Sequence, residues 1–233
     1  MAGMSEPGAP RVSPAVPPEP VMRTAAEAEE REYWAHLYGR WEPFDLAGAA
    51  AFMAGFGRPW WIVGGWAIDA FTGVDRQHDD VDVSILACDV PSLRAYVGER
   101  WHLWTLAGVE MRPLTPKHPD VFHPSSQLWV RKHGDAPWVL DLPLTPDRDG
   151  LWTNKFIPDH AGRIDEVTWV ADDGIRYLNP EIVLLFKARK RRTKDERDFR
   201  LVWPLLTEDK QTWLRGMIRR TDTEHPWLQQ IPR

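Results

Sequence analysis

Two hydrophobic periods alternate along the chain. Leu46, Ala49, Ala50, Met53 and Phe56 recur at helical spacing, which predicts a helix capped by Asp45 and ended by Gly57 and Pro59. Trp60–Val63 is a short apolar run between proline and glycine, the mark of a buried strand. Gly64-Gly65 then turns the chain into a helix of under two turns, Trp66–Phe71, closed by Gly73. A strand follows at Val81–Leu86. Ser92–Val97 reads as helical, and Trp101–Leu106 and Val109–Leu114 as strands. Thr115–Ser126, with three prolines, reads as a loop. Leu128–Arg131 and Trp138–Leu144 predict two strands joined by a turn at residues 133–136, and Val167–Val170 with Ile175–Leu178 a hairpin around Asp172-Asp173-Gly174.

From Asn179 the period is helical: Asn179 caps, Pro180 takes the first helical position, and Ile182–Phe186 is the buried part. Thr193 with Glu196 predicts a capping box for a new helix toward Trp203, and Thr207 opens a last helix through about Arg219. At the other end, residues 1–23 are rich in Pro, Ala and Glu and predict a disordered leader. Thr24 with Glu27 opens a helix through Leu37. The expected organisation is a leader (1–23), a mixed α+β sheet domain with flanking helices (24–178) and a helical region (179–233).

Composition narrows the function classes. The chain has 233 residues, a formal charge of -5 and one cysteine, Cys88. The negative balance argues against a non-specific nucleic-acid coat. A single cysteine rules out an internal disulfide framework and a cysteine-based zinc site. There is no apolar run near 18 residues, so no membrane span is predicted, and the first residues lack a signal peptide's apolar core. The expected location is the cytoplasm. Most of the fourteen tryptophans are expected to serve packing.

Chemistry concentrates in WWIVGGWAIDAFTGVDRQHDDVDVSIL. Side chains alternate along a strand, so His78, Asp80 and Asp82 share one face while Asp79, Val81, Val83 and Ile85 share the other, mostly apolar one. Two carboxylates two residues apart, with Cα atoms roughly 6.5–7 Å apart, can converge on divalent cations spaced roughly 3.5–4 Å. Magnesium favours such oxygen sites and shares them with substrate phosphates. A glycine turn entering a helix offers backbone N–H groups to a phosphate. Taken singly, a double glycine is a tight turn and an exposed Asp-x-Asp a solvated face; within one short unit they point to a site.

The glycine pair, short helix and His-x-Asp-x-Asp resemble the signature of the polymerase-beta-like nucleotidyltransferase superfamily. GGWAIDAFTG…RQHDDVDV is similar to the aminoglycoside and lincosamide nucleotidyltransferases, and LNPEIVLLFKARKRRTKDERDF more weakly so. The resemblance implies transfer of a nucleoside monophosphate from magnesium-bound NTP, with ATP first and two ions, to a small-molecule hydroxyl, as in antibiotic resistance. It also requires a third carboxylate as metal ligand and proton acceptor. Asp141, an acid inside the apolar strand WVLDLPL, is the best choice. Asp120 and Asp135 are alternatives in loop-like sequence.

The expected metal and catalytic set is therefore Asp80, Asp82 and Asp141. Gly64, Gly65, Arg76, His78, Lys187 and Lys194 are expected at the phosphates, with Lys190, Arg191 and Arg192 mostly on the surface. His118 and His123 have no metal-ligand spacing. Trp66 or Trp152 could stack on a base, with packing the blander role. A small polyhydroxyl or amino-sugar acceptor is expected because acidic pockets suit cations. The local basic run Lys187–Arg200 keeps open a toxin-like enzyme acting on RNA or protein, and a non-catalytic nucleotide or metal sensor is the third reading.

Overall fold

The computed structural model describes residues 25–230; the predicted leader and the Thr24–Glu27 capping box lie outside the described residues. After α1 (Ala25–Tyr38) and α2 (Leu46–Met53), the chain enters β1 (Trp61–Ile62), α3 (Gly64–Thr72) and β2 (Val83–Ser84). Asp45 Oδ1 accepts from Gly48 N at 2.7 Å and caps α2 as expected, but the helix ends at Met53, before the predicted glycine stop. Gly73, at φ 69, closes α3 in the left-handed region where glycine is cheapest.

Next come α4 (Val90–Val97), β3 (His102–Ala107), β4 (Glu110–Pro113), β5 (Gln127–Arg131) and β6 (Trp138–Pro143). β7 (Asp147–Arg148), β8 (Leu151–Thr153), β9 (Ala161–Gly162) and α5 (Ile164–Val167) follow in a stretch for which the pattern predicts no element. β10 (Thr168–Val170) and β11 (Arg176–Leu178) form the expected hairpin. α6 (Pro180–Ala188), α7 (Thr193–Val202), α8 (Glu208–Thr221) and α9 (Pro226–Gln230) complete the chain.

The architecture is α+β. One sheet has the order β10-β11-β1-β2, with β1 parallel to β11 and antiparallel to β2. The second, β4-β3-β5-β6, is antiparallel throughout. They meet where the β2 segment runs parallel to β6, through bridges Asp82↔Asp141 and Leu86↔Thr145. Thr145 N donates to Ile85 O at 3.0 Å and Ala87 N to Thr145 O at 2.8 Å, so the seam is hydrogen-bonded. A third, small sheet is β7-β8-β9.

The helical end is no separate core. One buried cluster takes in Met53, Trp61, Ile68, Val83, Leu128, Leu142, Leu184, Phe199 and Trp227 together. α6 packs against both α3 and α8, so the glycine helix is braced by the C-terminal helices. Two predicted caps are built differently. The Asn179 side chain caps nothing and donates to Glu166 O at 2.9 Å. At α7 the reciprocal bond runs from Arg192 N to Asp195 Oδ2, 2.9 Å, instead of Thr193 to Glu196.

Candidate active site

The seam between the sheets sets the site. Bridge pairing places Asp82 and Asp141 side by side on parallel segments. Val81, Val83 and Ile85 are buried, as the strand period predicts, which leaves the acids to the other face. Asp141 Oδ2 accepts from Gln127 Nε2 at 2.8 Å, while Asp141 Oδ1 is buried with no hydrogen-bond partner. An unpartnered buried carboxylate oxygen is costly unless something cationic meets it. Burial first, then the neighbouring Asp82 and Asp80 charges, hold the Asp141 carboxyl well above the usual range. The same two causes, burial and Asp80, push Asp82 up to about 6, against the pull of Lys187, Lys194 and Lys155. Asp80 is exposed at the edge of this pair, and its backbone carbonyl accepts from Trp66 Nε1 at 2.9 Å.

Both glycines of the turn are required by close approach. A Cβ on Gly64 would lie 2.7 Å from Asp82 Oδ2, and Gly64 is at φ +73. A Cβ on Gly65 would lie 2.7 Å from the His78 ring. The turn therefore presses against the acid strand, and α3 begins at Gly64 itself, with Val63 N bonded to Asp82 O at 3.0 Å. A cavity of about 220 Å³ opens there, lined by Gly64, Asp82, Gln127, Lys155, Lys187 and Lys190 among others.

Three expected phosphate ligands are instead consumed by carboxylates of the fold. Arg76 reaches Asp69 and bonds Asp198 Oδ1 at 2.5 Å. His78 Nε2 donates to Asp69 Oδ2 at 2.6 Å. Lys187 is buried and pairs with Asp198 Oδ2 at 2.7 Å and Asp195 Oδ1 at 3.4 Å. Asp195, 0% exposed, also takes two bonds from the Arg192 guanidinium. Hydrogen bonds and charges from these partners hold Asp69 and Asp195 below the usual carboxylate range despite burial. The network ties α3, the loop before the acids, α6 and α7 into one body.

The remaining candidates divide. Lys194 lines a second cavity rather than the one at Gly64. Trp66 packs against His78 at 4.5 Å and its indole N–H clamps the acid loop, while Trp152 is fully buried and offers no face to a base. Asp120 and Asp135 are exposed, in the loops that the sequence predicts.

Lys155 is the residue that sequence reading missed. Asn154 Oδ1 accepts from Phe156 N and Ile157 N at 2.9 and 3.2 Å, shaping the loop that presents Lys155 to the cavity. Its ammonium lies 5.2 and 5.1 Å from the Phe156 and Phe186 ring centroids, and among the described residues it has no ion-pair partner. Desolvation and the neighbouring Lys190 lower its pKa, while Asp82 and Asp141 pull the other way. No spacing marks it, because it follows a three-residue strand in an aperiodic stretch.

Among the described residues, no three His, Cys, Asp or Glu side chains are already gathered as a metal cage. The Asp82–Asp141 pair, with one orphaned oxygen, nonetheless fits a divalent cation of the magnesium type. Such ions take one or two carboxylates and complete their shell with substrate phosphates and water. A second ion would need Asp80.

A family model of aminoglycoside-2''-adenylyltransferase matches residues 46–100, which include the glycine turn and the first two acids. Among solved structures the chain is similar to the antibiotic-resistance factor ANT(2'')-Ia in solution, with 21% identity, a TM-score of 0.46, and 73% of this chain and 87% of that one covered. It is similar to ANT(2")-Ia in complex with adenylyl-2"-tobramycin at 19% identity and a TM-score of 0.45, covering 73% and 92%. It is also similar to the lincomycin-bound lincosamide antibiotic adenylyltransferase LnuA at 19% identity and a TM-score of 0.46, covering 69% and 96%. No curated protein sequence matches it. Among the described residues no helix is long and apolar enough to cross a membrane.

Proposed function

We propose that this chain is a nucleotidyltransferase that moves a nucleoside monophosphate from an NTP, ATP first, to a hydroxyl of a small molecule. One observation carries the reading: Asp82 and Asp141, 59 residues apart, are brought side by side against a glycine turn, with a buried carboxylate oxygen left unpartnered. The family match over residues 46–100 supports it.

Asp82 and Asp141, joined by Asp80, would hold magnesium, which when bound neutralises the phosphate charge and polarises the α-phosphoryl group. The chain's own residues supply the rest. The backbone at Gly64 and Gly65 receives the phosphates, and Lys155 and Lys190 meet the β and γ charges. Asp141, whose carboxyl is raised well above the usual range by burial and the neighbouring acids, takes the acceptor's proton. The acceptor oxygen bonds to the α-phosphorus in line, the bond from that phosphorus to the bridging oxygen breaks, and pyrophosphate leaves with the electron pair. Lys187 acts through position: paired to Asp195 and Asp198, it holds α6 against α7 beneath the cavity.

A pyrophosphate-release screen across nucleotides and hydroxyl acceptors, run on wild type, Asp82→Asn and Asp141→Asn, tests the reading. Release in the wild type and its loss in both variants is the expected result. Retained turnover in either variant overturns it. Nucleotide binding without release for any acceptor would favour a sensor instead.

A further inference from the structure

The tryptophans are not spread evenly. Register places Trp104 opposite Trp129, and Trp129 opposite Asp141, so three strands present these side chains on one face. The other face carries Leu103, Leu128, Val130 and Leu140 into the core. A bulge at Val130/Arg131 brings Trp138 to the aromatic face, where the Arg131 guanidinium lies 4.3 Å and 4.6 Å from the Trp138 and Trp104 centroids. Trp41 meets Trp129 edge-on at 4.9 Å. Asp141 is thus an acid at the border of an aromatic floor.

α1 supplies a second wall. Its Trp34 and Tyr38 stack at 5.7 Å, yet are 47% and 41% exposed. Between α1, this floor and the β3–β4 hairpin lies a cavity of about 830 Å³. Gln127 lines both this cavity and the one at Gly64, and its amide bonds Asp141, so the two cavities share the residue that holds that acid. The lining is mainly aromatic and aliphatic, and among the described residues its charged side chains are Glu30, Asp79 and Lys194, a balance of one negative charge. A polycation would set most of its ammonium groups against indole and aliphatic walls without carboxylate partners. A flat apolar face would cover the exposed Trp34–Tyr38 stack.

We infer that this cavity is the acceptor site, and that the acceptor is a hydroxyl compound with a flat aromatic or hydrocarbon face and at most one positive charge. That face packs against Trp34, Tyr38 and Trp129 and brings the hydroxyl to Asp141. The inference rests on the transfer reading above, and it replaces the amino-sugar acceptor expected from charge alone.

Calorimetric titration of the full chain with 2-naphthyl β-D-glucoside and with tobramycin, without nucleotide, tests the acceptor class. Wild type is compared with Trp34→Ala, an exposed position whose loss spares the core. The naphthyl glucoside should bind wild type at least about tenfold more tightly than tobramycin, and Trp34→Ala should weaken it by about tenfold or more. Magnesium-ATP affinity, measured separately, should be the same in both proteins. Tobramycin binding as tightly or more tightly, no binding of the naphthyl glucoside, or no effect of Trp34→Ala overturns the class. With magnesium-ATP still binding, those failures count against the acceptor class alone. Failure of wild type to bind magnesium-ATP overturns the acceptor role together with the transfer reading.

Discussion

Two clusters of three aspartates lie close together and differ in what surrounds them. Asp69, Asp195 and Asp198 are buried among Arg76, His78, Lys187 and Arg192, and each carboxylate has a partner within hydrogen-bond reach. Among the described residues Asp80, Asp82 and Asp141 have no ion pair: Gln127 and Trp129 face Asp141, and Lys155, Lys187 and Lys194 act on Asp82 only as neighbouring charges. In the first cluster the Asp69 and Asp195 carboxyls are held down, and in the second those of Asp82 and Asp141 are pushed up. Charge supplied by the chain itself makes the first a brace. With no paired cation, the second suits the cation and phosphates of the proposed reaction, as its receptor cluster.

If that contrast holds, neutralising an acid has opposite consequences in the two clusters. Asp82→Asn or Asp141→Asn should lower turnover by at least roughly 10³-fold, the scale of losing one preorganised charge-stabilising group. Thermal unfolding of the same variants in EDTA at pH 7 should show no loss of stability, since a desolvated and repelled charge is gone. Asp198→Asn should instead cost about 3–5 kcal/mol, because Arg76 and Lys187 are left buried without a full partner. Urea unfolding measures it. Equal destabilisation by both kinds of variant would erase the distinction.

The receptor cluster was legible in sequence and the brace was not, for a physical reason. Strand alternation fixes which residues share a face, so Asp80 and Asp82 separate from Val81 and Val83 without any tertiary information. A charge inside WVLDLPL has few ways to be satisfied, and Asp141 stands out on that ground. Helical spacing likewise places Lys187 on a face, but not its partner. Asp195 and Asp198 belong to the next helix, beyond a break at residues 189–192, and only the packing of α6 on α7 brings them to Lys187. The same limit hid Lys155, whose loop owes its shape to Asn154, and the aromatic floor, which needs the register of three strands. Resemblance to a family named the chemistry, and charge alone suggested a polyhydroxyl or amino-sugar acceptor; the aromatic lining of the cavity at Trp34 and Trp129 is not visible to either argument.

Cation binding sharpens the contrast next. Magnesium at about a hundred times its Kd should stabilise the wild type by about 2.7 kcal/mol if it binds only the folded chain. The gain should vanish in Asp141→Asn and persist in Lys187→Gln, whose starting stability is lower. Lys155→Ala should leave stability alone and weaken magnesium-ATP binding about tenfold, or about 1.4 kcal/mol. Nucleotide titration by calorimetry separates the two lysines. An effect of Lys187→Gln on binding greater than that of Lys155→Ala would reverse their assigned roles.

The two clusters should also separate along the pH axis. In EDTA, Asp82 titrates near 6 in the folded chain against 3.8 unfolded, so the folded state holds the extra proton. Stability therefore rises as pH falls from 7 through 6 toward 4, by roughly 1–3 kcal/mol given about 1.4 kcal/mol per unit. Asp69 and Asp195 act in the opposite sense. Their folded values lie below 3.8, so their contribution is present above that pH and is lost as pH falls through the lowered values. Metal-free protein should be most stable between about pH 4 and 5. Saturating magnesium should flatten the rise between pH 7 and 5 and leave the acid limb in place, because the cation competes with the proton at the receptor cluster and has no place in the brace. Thermal melts across that range, with and without magnesium, check it. An unchanged rise in the presence of magnesium would mean that the raised carboxyls are not where the cation binds.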